Sequence, residues 1–285
     1  MPSLHSFYSN KTVLITGAAS GIGRALATVF AGFGSKLAIC DIDEGALAEV
    51  AAQLQASQPD ITLFSSVLDV ANKAQWQQFL AASYAKCGHI DMLINNAGIE
   101  GSSQPTWASD DDLLHRVMDV NFYGMVYGSK AVLPYLIERP WSALVNVSSV
   151  FGLIAPPNTA DYCASKFAIR GYTESMRAEL ALIHPHVQVH LVHPGGINTN
   201  ITRLDKSQKF KQRFLKTEPQ EIALHIAKSV MHNKARIVFG NQSTQLNFAS
   251  RFISLKWLNK LTGSEIKGLG MEEDYRSDHD GFKKR

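Results

Sequence analysis

Short apolar runs rich in Val, Ile and Leu alternate along this chain with longer amphipathic segments, and no single motif limits the fold as strongly. The runs fall at residues 12–16, 36–40, 62–67, 92–95, 143–147, 187–192 and 236–239, almost without polar interruption. Strands of that kind are covered on both faces, as in parallel sheets. The segments between them predict helices at about 22–33, 44–56, 73–84, 112–137, 161–183 and 219–231. The expected fold is α/β: a doubly wound, seven-stranded parallel sheet of Rossmann type, with helices on both faces. Ligands bind such sheets beyond the carboxyl ends of the strands, so the chemistry should follow each apolar run.

The first run ends in Thr16-Gly17-Ala18-Ala19-Ser20-Gly21-Ile22-Gly23 and passes directly into a helical pattern. Glycines there let the backbone turn sharply, approach a pyrophosphate and pack the helix on the strand. The helix N-terminus adds unpaired N–H groups and the positive end of its dipole. The spacing is GxxxGxG, not GxGxxG, and an ordinary glycine-rich turn would share it. Asp41 closes the second run 20 residues after Gly21. A carboxylate there suits ribose hydroxyls and repels a 2′-phosphate. Ile42, Asp43 and Glu44 follow it without a cation, and Ser20 is not basic, so NAD is favoured over NADP. Arg24 and Lys36 lie close enough in sequence to keep NADP open. Asp69 follows the third run, where it can bond an adenine edge or cap the next helix.

Tyr162 and Lys166 stand four residues apart, one turn of the predicted helix, and so share a face. A phenol with an ordinary pKa of about 10 is a poor proton carrier at neutral pH, and a nearby cation pulls that value down. Such a couple suits general acid–base chemistry, although many helices carry Tyr and Lys at this spacing by chance.

These pieces together resemble the short-chain dehydrogenase/reductase family over residues 11–240. The resemblance rests on the glycine run at 16–23, Asn95-Asn96-Ala97-Gly98, Asn121, Ser148-Ser149, Tyr162-x-x-x-Lys166, and Pro194-Gly195 followed by Thr199. It implies that Tyr162 handles the proton on the substrate oxygen, that Lys166 lowers the tyrosine pKa and bonds the nicotinamide ribose, and that Ser149 stabilises charge on oxygen. Asn121 would hold a relay water, the reading favoured by the full set of four, with a buried amide bonding the main chain as the alternative. Strand alternation points Ser148 and Ser149 in opposite directions, and the family's spacing to the tyrosine selects Ser149. The resemblance also puts Gly17, Ser20, Gly21, Ile22, Gly23, Asp41, Asp69, Asn95, Ala97, Gly98, Tyr162, Lys166, Pro194, Gly195, Ile197 and Thr199 against the cofactor. A homodimer or homotetramer is expected on the same ground.

Composition excludes several classes. Of the 285 residues, 45% are hydrophobic and 19% charged, the balance of a globular protein with a real core. A net charge of +3 gives no reason to expect nucleic acid as a partner. Three scattered cysteines, Cys40, Cys87 and Cys163, form no CxxC pair, which points away from disulfides and zinc and toward a reducing, cytoplasmic setting. His184, His186, His190 and His193 crowd together without a carboxylate or cysteine to complete a metal site, and read as structural or surface groups. The basic run Lys206, Lys209, Lys211, Arg213 and Lys216 reads first as a solvated helix face; the family resemblance would also let it border a substrate lid and attract an anionic substrate.

Residues 1–245 make one dinucleotide-binding and catalytic domain, and 246–285 an amphipathic helix with a charged, disordered tail. Phe248, Phe252, Leu255, Leu258 and Leu261 recur every three or four residues, widened by Ile253 and Trp257. That stripe suits docking on protein, the favoured reading, a lid over the cleft, or a membrane surface. The chain therefore reads as an oxidoreductase interconverting a secondary alcohol and a ketone with NAD(H). Ile99, Phe151, Leu153, Ile154, Pro156 and Pro157 point to a hydrophobic substrate. An NADP(H)-dependent carbonyl or 3-oxoacyl reductase, and a non-catalytic nucleotide-sensing protein on the same fold, are the alternatives.

Overall fold

The computed structural model describes residues 2–201 and 208–268. Seven strands form one parallel sheet: β1 (Thr12–Thr16), β2 (Lys36–Asp41), β3 (Leu63–Val67), β4 (Met92–Asn95), β5 (Ser142–Val147), β6 (Val187–Pro194) and β7 (Arg236–Phe239). Their order across the sheet is β3-β2-β1-β4-β5-β6-β7, so the winding reverses between β1 and β4 and opens a crevice there.

Helices cover both faces. They are α1 (Leu4–Tyr8), α2 (Gly21–Gly32), α3 (Glu44–Ser57), α4 (Lys73–Cys87), α5 (Asp111–Met118), α6 (Gly124–Ile137), α7 (Ala160–Ile183), α8 (Gln208–Phe214), α9 (Pro219–Met231), α10 (Ser243–Phe252) and α11 (Leu255–Gly268). Alternate residues of each central strand feed opposite cores. Val13, Ile15, Leu37, Ile39, Met92 and Ile94 pack with α2 and α9, whereas Leu14, Ala38, Cys40, Leu93 and Leu144 pack with α4, α6 and α7. Each fully buried Leu, Ile or Val side chain contributes roughly 1.5–3 kcal/mol, which is why these runs read so plainly as strands.

Three elements depart from the sequence expectation. The short α1 was not anticipated; Ser3 caps it, and Tyr8 is fully buried with its hydroxyl donating to Ala227 O at 2.7 Å. The helix expected over 112–137 is interrupted by a π-helical turn at Asp119–Tyr123, which joins α5 to α6 without breaking the axis. The C-terminal stripe belongs to two helices, separated at Ile253 by extended backbone. Leu246, Ala249, Ile253 and Leu258 pack against Phe151 and Ile154, while Phe248, Phe252, Leu255, Trp257 and Leu261 stay exposed. The stripe is therefore shared between an inner and an outer face. Lys206 and the tail beyond Gly268 lie outside the described residues.

Candidate active site

The glycine turn closes the carboxyl end of β1. Gly17 and Gly21 adopt positive φ of 65° and 50°, backbone that a residue with a Cβ adopts only under strain. A Cβ on Gly23 would meet Gly17 O at 2.0 Å, and one on Gly17 would meet Ala97 Cα at 2.8 Å. The Asn96 amide fixes this turn, donating to Thr16 O at 3.0 Å and Gly17 O at 3.2 Å. Thr16 Oγ1 accepts the N–H groups of Asn96 and Ala97, so the loops after β1 and β4 are held as one piece. Ser20 sits at the N-cap of α2 without a side-chain cap bond, which leaves the N–H groups of the first turn, from Ile22 and Gly23, for an anion. Thr199, after β6, comes over the turn, its Cγ2 lying 3.1 Å from where a Gly21 Cβ would stand.

Asp41 ends β2 beside this turn. Its carboxylate accepts the N–H of Ala19 at 2.9 Å and that of Asp43 at 3.1 Å. Neither candidate cation competes with it. Arg24 donates to Gln53 Oε1 at 2.6 Å, and Lys36, at the opposite end of β2, donates to Cys87 O at 2.9 Å. At two other positions the side chains are engaged within the protein. The Asn95 side chain turns into the core and donates to Asn146 Oδ1 at 2.9 Å and Ser129 Oγ at 3.1 Å, because at the strand end it completes a buried polar cluster. Asp69 does not cap α4, which Asn72 does; its carboxylate accepts from Ala71 N–H and lies 3.6 Å from Arg116.

The proton-handling group assembles beyond β5 and β6. Ser148 is buried and donates to Lys166 O at 2.9 Å, whereas Ser149, pointing the other way, accepts Phe151 N–H at 3.1 Å and acts on the Tyr162 phenol. Lys166 is buried, its ammonium donating to Val147 O at 3.3 Å and standing 5.4 Å from the centre of the Tyr162 ring. Burial lowers the Lys166 pKa to about 8. Burial also pushes the Tyr162 phenol well above its ordinary value; Ser149 opposes this, and the charges of Cys163 and Glu100 add to it. The expectation that Lys166 pulls the phenol down meets a different arrangement, with the ammonium over the ring and desolvation dominant. Asn121 lies in the π turn, where its Oδ1 accepts Ile99 N–H at 2.8 Å and its Nδ2 donates to Ile99 O and Ser165 Oγ. Gly98 lies against both, since a Cβ there would fall 3.1 Å from Asn121 Oδ1 and 3.4 Å from Lys166 Nζ.

β6 ends at Pro194, and Gly195 leads on to Ile197, which is buried and pairs with Thr217. A Cβ on Gly195 would meet Asn241 O at 2.4 Å.

A family model described as short chain dehydrogenase matches residues 11–209. The chain belongs to that family. As such it is an NAD(P)-dependent dehydrogenase/reductase. It is 36% identical over 258 residues to SadH of Mycobacterium tuberculosis, described as an oxidoreductase, covering 87% of this chain and 92% of the relative. It is 32% identical over 222 residues to levodione reductase of Leifsonia aquatica, covering 75% of this chain and 82% of the relative. Among solved structures, a short-chain dehydrogenase/reductase from Burkholderia phymatum in complex with NAD superposes with a TM-score of 0.76 at 28% identity. That match covers 81% of this chain and 89% of the other.

Two contributors to this dehydrogenase site escaped sequence reading. His193 is fully buried, and its Nδ1 donates to Ser149 O at 2.7 Å; desolvation lowers its pKa to about 4, so the ring is neutral. Asp161 is buried and bonds the N–H groups of Ser102 and Tyr162. Only their neighbours in sequence, Pro194 and Tyr162, signalled them. His190, on the opposite face of β6, is held by Lys234 O and belongs to the packing. Among the described residues no group of three His, Cys, Asp or Glu side chains is placed to hold a metal ion, and no helix is long and apolar enough to cross a membrane.

Proposed function

We propose that this enzyme interconverts a secondary alcohol and a ketone, with NAD(H) as cofactor and a hydrophobic molecule as substrate. The observation that carries the reading is the Lys166 ammonium over the Tyr162 ring, with Ser149 acting on the same phenol and Gly98, in the loop tied to the glycine turn, packed against Lys166 Nζ. The residues present fit a dinucleotide: the turn has no room for side chains, the first-turn N–H groups of α2 carry no side-chain cap, and the Asp41 carboxylate beside the turn can accept from ribose hydroxyls. NAD, when bound, supplies the hydride acceptor or donor and, when oxidised, a positive charge near the phenol. Gly17, Ser20, Gly21, Ile22, Gly23 and Asp41 would hold its adenosine half, with Ala97 and Gly98 beside it and Pro194, Gly195, Ile197 and Thr199 around the carboxamide.

The protein's own groups then handle one proton. Tyr162, protonated, donates to the carbonyl oxygen in reduction and, once deprotonated, accepts from the hydroxyl in oxidation. Ser149 donates a second bond to the same oxygen and stabilises its developing charge. Lys166, with a pKa of about 8, returns the proton toward solvent, and Asn121 positions the relay. Asp41, with Arg24 and Lys36 both engaged elsewhere, favours NAD over NADP. Phe151, edge-on to Tyr162 at 6.1 Å and packed beneath α10 and α11, supplies an apolar wall for the substrate.

Replacing Tyr162 with Phe tests the reading. Turnover should fall by roughly 10²–10⁴-fold while NADH binding, followed by nicotinamide fluorescence, stays within about twofold. Undiminished turnover on an alcohol and ketone panel would remove the phenol from the chemistry.

A further inference from the structure

The two C-terminal helices carry an outward face that the dehydrogenase site does not use. Phe248 and Phe252 lie one turn apart on α10, their rings 4.7 Å apart, and are 60% and 71% exposed. At 100° per residue Phe248 lies opposite Leu246, and Phe252 lies on the flank beside Ala249; Leu246 and Ala249 are the residues that seat α10 on Ile154. On α11, Leu258 and Thr262 face inward, Trp257 and Leu261 lie on the flank, and Lys256, Lys260 and Lys267 line the outermost stripe. Lys260 Nζ stands 5.1 Å from the Trp257 ring.

The charge on this face has one sign. Between Ser243 and Gly268 there are four cations, Arg251, Lys256, Lys260 and Lys267, and one anion, Glu265, which is engaged with Arg213 of α8 at 2.6 Å. That pair ties α8, itself a basic helix, to α11. Exposed Phe, Trp and Leu interleaved with Lys and Arg on short helices is the composition of a surface that lies in a lipid headgroup layer, with rings below and ammonium groups at the phosphates. A symmetric contact with a second copy would instead set these cations against themselves.

We propose that the outer faces of α10 and α11 dock this enzyme on an anionic lipid bilayer. The helices' inner faces pack on Phe151, so the docked surface lies directly behind the apolar wall of the catalytic cleft.

The test is sedimentation of the full chain with vesicles of phosphatidylcholine alone and with about 30% phosphatidylserine. The expected result is roughly tenfold more protein on the anionic vesicles, weakening at high salt. Phe248→Ser with Phe252→Ser should lower that binding about tenfold, and Lys256→Glu with Lys260→Glu should erase the preference for phosphatidylserine. Brominated lipid should quench the emission that Trp257→Phe removes, a measurement on otherwise unaltered protein. Equal binding to both vesicles, no binding to either, or unquenched Trp257 emission would overturn the proposal. So would light scattering in which the Phe variants split a dimer without changing vesicle binding, since the face would then join two copies.

Discussion

The carboxylate of Asp161 accepts the main-chain N–H of Ser102 at 2.6 Å, a buried contact between residues 59 apart in the chain. The same side chain bonds the N–H of Tyr162 at 2.7 Å. One buried residue thus ties the loop after β4 to the first turn of the helix that presents the phenol. It also needs Gly101, where a Cβ would fall 2.1 Å from Asp161 Oδ1.

Asp161→Ala leaves the Ser102 N–H buried without an acceptor, so the fold should lose roughly 1–3 kcal/mol and turnover should drop with it. Asp161→Asn keeps an acceptor and should lose less. Urea unfolding of the three proteins checks this; equal midpoints would mean the tie carries no stability.

Cofactor choice should follow Asp41. Asp41→Asn removes the charge that opposes a 2′-phosphate, and Ile42→Arg, at a position 59% exposed, adds one that attracts it. The double variant should shift the NAD:NADP ratio of dissociation constants toward NADP by about 100-fold, or about 2.8 kcal/mol. Titration of nicotinamide fluorescence with both cofactors measures it, and an unchanged ratio would place discrimination elsewhere.

Burial of Lys166 has a pH signature. Its folded-state pKa is about 8 against an ordinary 10.5, so below pH 8 the fold carries a buried ammonium at a penalty. Between pH 8 and 10.5 the unfolded chain binds the extra proton, and this group's contribution to stability rises, by on the order of 3 kcal/mol in all. Lys166→Met should lack that rise. Unfolding curves at intervals across the window, compared between the two proteins, would show parallel lines if the prediction fails.

The buried histidines act in acid. His190 and His193 have pKa values lowered to about 4 from an ordinary 6.5. Both are neutral and at no disadvantage above pH 6.5; as pH falls toward 4 the unfolded chain takes up protons first and stability is lost. Each contributes a slope of roughly 1.4 kcal/mol per pH unit at most. His190→Gln with His193→Gln should flatten the acid limb of the stability profile, and an identical limb would refute the assignment.

Much of this was legible in the residues because burial on both faces leaves a run such as Val13-Leu14-Ile15 no polar position. Edges of elements were less so. The π turn at Asp119–Tyr123 keeps a helical pattern on either side, so periodicity passes through it unseen. Asn95 reads as a cleft residue from its place after β4, but its partners Ser129 and Asn146 come from two other elements and no local signal names them. His193 and Asp161 were hidden for the same reason: their partners, Ser149 O and Ser102 N–H, are main-chain atoms, which any residue supplies. The C-terminal stripe was visible as apolar spacing, yet spacing alone does not tell an inner face from an outer one when the helix bends at Ile253.

A wide turn accommodates one residue more than a regular one, so α6 emerges from Asp119–Tyr123 rotated by roughly 100° against a straight continuation of α5. Val117 before it and Met125, Val132 and Leu136 after it are all buried only with that offset in place. Deleting a single residue there would let the backbone revert to an unbroken α-helix and swing one set of these side chains into water. In this stretch the count of amino acids is under tighter constraint than most of their identities, and an indel would be punished where many exchanges would pass.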